Sequence, residues 1–204
     1  MTIRVGVMTG FLVVAAAMIV LFVAPRGLFV DASFAATTLM IVVAYIEGNL
    51  RLPRLSARNL LIGLLSAAIL YLIFYAGNLA ITRVGFPGNA SSGESSIYTL
   101  IASPSNPLPL QISILAFDAA GFELFFRGTL QVRLQQRVGI GAAPVTALID
   151  AGLHLVALNP LWVATTFVAD LVWGLTYYYG RDLSTSLTSH FVWDVAIFVI
   201  SPIR

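Results

Sequence analysis

Seven long stretches of this chain are largely apolar. They are Val5–Ala24, Gly27–Ile46, Leu60–Ile81, Leu110–Val132, Ala142–Leu158, Leu161–Tyr179 and Leu183–Ile200. A helix needs about 20 largely apolar residues to cross the hydrocarbon core of a bilayer, and each stretch is near that length. The expected fold is therefore an all-α, polytopic membrane helix bundle of about seven transmembrane helices. Composition agrees: 59% of the residues are hydrophobic and only 10% are charged, against roughly 25% charged in soluble domains.

The same counts remove whole classes of chemistry. There is no cysteine, so disulfides, iron–sulfur clusters and thiol nucleophiles are excluded. All 11 basic residues are arginine, so no lysine can form an imine and seven spans cannot mean a retinal protein. The net charge of +2 comes from scattered arginines and gives no reason to expect nucleic acid as a partner.

Short-loop arginines set the expected orientation. With the N-terminus inside, Arg4, Arg51, Arg54, Arg58, Arg133, Arg137 and Arg181 face the cytoplasm. Arg26, Arg83 and Arg204 then face outward, which favours a cytoplasmic N-terminus and an outer C-terminus. The organisation expected is three N-terminal helices (1–81) acting as packing and scaffold, a polar Ser/Gly/Pro-rich loop (82–109), and a four-helix core (110–204).

Ionisable groups at membrane depth are costly and mark functional sites by default. The first three stretches hold almost none. The last four hold Asp118, Glu123, Arg127, Asp150, His154, Asp170, His190 and Asp194. Glu123–Arg127, Asp150–His154 and His190–Asp194 are each four apart, one helical turn on one stripe. With a rise of ~1.5 Å per residue, all but Asp118 converge in an inner-leaflet slab about 9 Å thick. Both histidines of the chain fall there beside carboxylates, which points to catalysis or metal binding. Trp162, Trp173 and Trp193 read as packing or interface anchors.

The run Glu123-Leu124-Phe125-Phe126-Arg127-Gly128, then His154, then His190-Phe191-Val192-Trp193-Asp194, resembles the CPBP family. These are the CAAX-protease and bacteriocin-processing, or Abi, membrane proteins, and the similarity covers roughly 110–195. The resemblance implies an intramembrane endopeptidase acting on a prenylated or membrane-anchored peptide or protein, with membrane lipid as its surroundings. In the family pattern two adjacent glutamates precede the arginine. The first glutamate and first histidine activate a water, while the second histidine and an Asn or Asp stabilise the oxyanion.

On that pattern Glu123 matches the second glutamate, and Phe122 stands where the first belongs. A phenyl ring cannot take a proton. Asp150, at nearly the depth of Glu123 and one turn from His154, is the expected replacement. His154 with Asp150 or Glu123 would then activate water, Arg127 would hold Glu123, and His190 with Asp194 would stabilise the oxyanion. No cofactor is required. Carboxylates and imidazoles together can also ligate a divalent ion, and His154, His190, Glu123 and Asp150 would be its ligands.

Two other readings remain open on the residues. Phe122 favours a catalytically inactive relative serving as membrane scaffold, immunity factor or regulator. The intramembrane carboxylates, including Asp118 and Asp170, would also suit a proton-coupled transporter, although no paired Gly/Pro-broken helices support one.

Overall fold

The computed structural model describes residues 7–47, 53–84, 98 and 107–203. Most of the 82–109 loop lies outside the described residues. Helix α1 (Val7–Val23) turns through a short 3₁₀ segment (Arg26–Leu28) into α2 (Phe29–Ile46), and α3 spans Ala57–Val84. Next, α4 (Leu108–Phe122) runs on into a π-wound segment (Glu123–Gln131) and α5 (Val132–Val138). Helix α6 (Ala142–Leu153) closes in a 3₁₀ turn (His154–Ala157) and is followed by α7 (Pro160–Gly180). The last helix, α8 (Leu183–Val195), ends in a π turn (Ala196–Ile200). No strand occurs among the described residues.

Four helical stretches are long and apolar enough to cross a membrane: Phe29–Ile46, Ala57–Arg83, Leu108–Ala157 and Leu183–Ile200. The stretch expected at Leu110–Val132 is longer in the structure, because nothing in Val132–Val138 breaks the helix. It stops at Gly139, whose φ of 56° suits a residue without a Cβ. The stretch expected to end at Leu158 leaves α-geometry at His154 instead. Leu158 turns left-handed at φ 52°, and Asn159 then caps α7, its Oδ1 accepting from the N–H groups of Leu161 and Trp162 at 3.1 and 3.2 Å. Pro160 occupies the first helical turn, where its missing N–H costs nothing.

Two apolar clusters hold the bundle. One joins Val14, Met18 and Leu21 of α1 with Met40 and Val43 of α2 and with Phe125, Phe126 and Leu130. The other joins Ala67 and Leu70 of α3 with Ala169 and Trp173 of α7 and with Trp193 and Ile197. Small residues let helices approach closely, as membrane bundles require. At Gly63 an added Cβ would lie 2.6 Å from the Thr188 Cβ and 2.7 Å from the Thr185 carbonyl oxygen, so α3 and α8 touch nearly backbone to backbone. Outward on α3, Leu61, Leu64, Leu65 and Leu72 are all about half exposed or more. Such a face is unfavourable in water and neutral in lipid.

Candidate active site

The polar residues of the last helices are interior. Glu123 and Arg127 are each 1% exposed, Asp150 and Asp170 2%. An unpaired charge at such burial costs several kcal/mol, on the order of 3–5 when one partner is missing, so the pairing pattern is informative.

Arg127 is positioned by the π-wound segment, a winding that recurs at functional sites. Its terminal nitrogens reach α7: Nη2 donates to Asp170 Oδ1 at 2.8 Å and to the Asp170 carbonyl at 3.0 Å, and Nη1 to Asp170 Oδ2 at 3.2 Å. Glu123, on the same helical run, lies 3.6 Å from Arg127 Nε, beyond hydrogen-bond length. The expected Arg127–Glu123 pair is present as an ion pair at that distance, and Asp170 is the guanidinium's hydrogen-bonded partner. The fork geometry of a guanidinium favours a two-oxygen partner, and Asp170 across the interface offers one.

Glu123 faces α8. Its Oε1 accepts from His190 Nδ1 at 3.0 Å, while His190 Nε2 lies 3.4 Å from Asp194 Oδ2 on the next turn. The imidazole lies flat on the Trp173 indole, with centroids 3.6 Å apart and planes 12° from parallel. Phe122 meets the His190 ring edge-on at 6.3 Å and stacks on Phe126 at 5.7 Å.

His154 sits apart from that group, at the end of α6. Its Nδ1 donates to the Asp150 carbonyl oxygen at 2.9 Å and lies 3.5 Å from Asp150 Oδ1. A neutral imidazole that donates at Nδ1 carries its free lone pair on Nε2. The rings of Phe22 and Trp162 flank it at 5.0 and 5.9 Å. Of the two carboxylates expected to serve His154, Asp150 is adjacent and Glu123 is engaged by His190, because Glu123 points to α8 and His154 toward α1 and α7. Asp150 Oδ1 is buried with no hydrogen-bond partner.

A cavity of about 410 Å³ joins these groups. Its polar lining includes Asp118, Asp150, His154, His190 and Asp194, and its walls are apolar side chains drawn from α1, α2, α3, α4, α7 and α8. Glu123, Arg127 and Asp170 stand behind that lining. Asp118, the outlier in depth, is clamped by α2: Ser33 and Thr37 hydroxyls donate to its two oxygens at 2.6 Å each. Among the described residues no group of three or more His, Asp or Glu side chains is arranged to hold a metal ion. Both nitrogens of His190 already face carboxylates, and His154 Nδ1 faces its own helix.

Two residues that matter here have no catalytic role in the sequence reading, where Asp170 counts only among the intramembrane carboxylates and Trp173 as a packing or interface anchor. Asp170 shares the depth of Glu123 and Arg127, so matching depths across helices could have paired it with the arginine. Trp173 gives no such signal, since its stacking depends on how α7 and α8 rotate against each other.

Residues 104–196 match the family described as type II CAAX prenyl endopeptidase, Rce1-like. This part of the chain is similar to that family, which is consistent with the CAAX-protease resemblance of its sequence. With the apolar helices, it indicates an integral membrane protein of CAAX-protease-like function. No curated protein and no solved structure matches the chain.

Proposed function

We propose that the protein is an intramembrane endopeptidase resembling CAAX prenyl proteases, with His154 and Asp150 as its water-activating pair. The observation that carries this reading is one cavity that gathers Asp150, His154, His190 and Asp194, all from the segment that matches the CAAX endopeptidase family. Its substrate is a prenylated or membrane-anchored peptide, whose lipid the apolar walls suit. The chain crosses the membrane about seven times, N-terminus in the cytoplasm and C-terminus outside, with the cavity's polar end in the inner leaflet.

In this mechanism His154 Nε2 takes a proton from water, and the hydroxide oxygen bonds to the scissile carbonyl carbon. Asp150, one turn away, keeps the imidazole oriented through its carbonyl oxygen, with its carboxyl 3.5 Å from the same nitrogen. The oxyanion is met by His190 Nε2–H, which makes no hydrogen bond to Asp194 3.4 Å away, while Nδ1 is fixed by Glu123; a fixed donor of this kind stabilises developing charge. Collapse breaks the C–N bond, and the leaving amine takes the proton held by His154. Arg127 and Asp170 act from behind, keeping the helix of Glu123 against α7.

Purified protein should cut a prenylated peptide, and His154→Ala and His190→Ala should each lose that activity. Cleavage unchanged in both variants would sink the proposal. Phe122 supports a second reading, a non-catalytic scaffold or regulator, because its ring fills the place of a carboxylate. In that case a stable, membrane-inserted His154→Ala protein keeps its cellular phenotype.

A further inference from the structure

Asp118 is outside the motifs and outside the mechanism above, yet it is the most deliberately held carboxyl in the cavity. It lies on α4 one turn before Phe122, and it lines the cavity together with His190 and Asp194. Ser33 and Thr37, one turn apart on α2 and 6% and 1% exposed, each donate a hydroxyl at 2.6 Å to a different oxygen of it. The α2–α4 contact does not need this device for packing, since Gly121 already brings α4 close against Thr37.

A carboxylate accepts at about four lone-pair positions. The two hydroxyls occupy one on each oxygen and fix the plane of the group, which leaves acceptor capacity directed away from α2. An acceptor held in one orientation loses little freedom when it meets its partner. A peptide entering an apolar-walled cavity sheds the water on its backbone N–H groups, and each then needs an acceptor. The same cavity is lined by His190 and Asp194, so an acceptor at Asp118 borders the space that a bound peptide would fill.

We infer that Asp118, oriented by Ser33 and Thr37, is a substrate-positioning residue that accepts a backbone N–H of the bound peptide. This rests on the reading of the cavity as a peptide site, and through Ser33 and Thr37 it ties α2 of the N-terminal helices to substrate recognition. Its role is in binding; the proton transfers stay with His154.

The test is N-methyl scanning of a short farnesylated peptide, its backbone N–H groups replaced one at a time by N–CH₃. Binding is measured to full-length protein carrying His154→Ala, where bound peptide is not consumed. One methylated position should bind about tenfold more weakly than the parent, the scale of a lost hydrogen bond to a charged group. That penalty should vanish when Asp118→Ala is added and shrink when Ser33→Ala and Thr37→Val are added together. Asp118→Asn, which keeps an acceptor and the fold, should retain part of it. If every methylation penalty is the same with and without Asp118, the inference is overturned even where the unaltered enzyme cuts the peptide. If the parent peptide does not bind at all, the peptidase reading falls and this inference with it.

Discussion

Arg127 is hydrogen-bonded across a helix interface by Asp170, through two side-chain contacts and a carbonyl, in addition to a looser ion pair along its own helical run with Glu123 at 3.6 Å. The consequence is mechanical. The π-wound segment that carries Glu123 and Arg127 is tied to α7, the helix that also carries Trp173 against His190. Arg127 therefore joins the two helices whose side chains bracket His190.

Removing one side of that pair should be worse than removing both. Arg127→Ala leaves Asp170 buried and uncompensated, at a cost of about 3–5 kcal/mol. Arg127→Met with Asp170→Leu should recover much of the loss, since a buried pair replaced by apolar groups is often close to neutral. Thermal unfolding in detergent, compared across the two single variants and the double, reads this directly. Single and double variants with equal losses would contradict it.

Gly63 tests the α3–α8 contact. A methyl there would press on Thr188 and on the Thr185 backbone, and the backbone cannot swing away as a long side chain could. Gly63→Ala should therefore cost about 1–3 kcal/mol, the range for overpacking, visible as a lower unfolding temperature. Gly77→Ala on the same helix has open space around its added Cβ and should be tolerated.

Much of this was legible in the residues themselves, and the limits have physical causes. Helical class and the concentration of polar groups in the last helices follow from apolar run length and from the cost of intramembrane charge. Spacing four apart brought His154 beside Asp150 and His190 beside Asp194, because both members of each pair share one helix. Pairing across helices was different. Glu123 with His190 and Arg127 with Asp170 depend on the relative rotation of separate helices, which periodicity does not encode. The Asp118–Ser33–Thr37 clamp was hidden for the same reason, its hydroxyls lying on a helix that carries almost no charge.

Acid should loosen the junction between α7 and α8. Asp182 lies outside the spans as the N-cap of α8, accepting from Ser184 N–H at 2.9 Å, Ser184 Oγ–H at 2.7 Å and Arg54 N–H at 3.0 Å. Partial burial would raise its pKa, but the Ser184 bonds, the Arg54 N–H and the Arg54 charge together hold it below the ordinary value. A folded-state pKa below the unfolded one means stability that is present above the unfolded value, near 3.9. That stability is lost as pH falls through the lowered value. Asp182→Ala should remove this pH dependence and cost about 1 kcal/mol as a lost cap. Unfolding measured from pH 6 down to the acid limit in both proteins should give converging curves; parallel curves would contradict the assignment.

The stack of Trp173 on His190 separates packing from positioning. Trp173 is 5% exposed and belongs to the apolar cluster with Leu70, Trp193 and Ile197, so shortening it must destabilise the bundle. Truncation of a buried aromatic costs about 3–5 kcal/mol, and Trp173→Ala should lie in that range. Trp173→Phe keeps an aromatic face under the imidazole, whereas Trp173→Leu keeps apolar volume without a flat face. If packing were its whole contribution, Phe and Leu would affect peptide cleavage in proportion to their effects on unfolding temperature. The parallel geometry, 12° between planes at 3.6 Å, argues for more. The indole fixes the plane in which His190 reaches Glu123 on one side and Asp194 on the other. Trp173→Leu should therefore lower kcat well beyond its loss of stability, with KM little changed, while Trp173→Phe retains most of the turnover. Equal kcat in the Leu and Phe variants, at matched folded fraction, would reduce the tryptophan to a core residue.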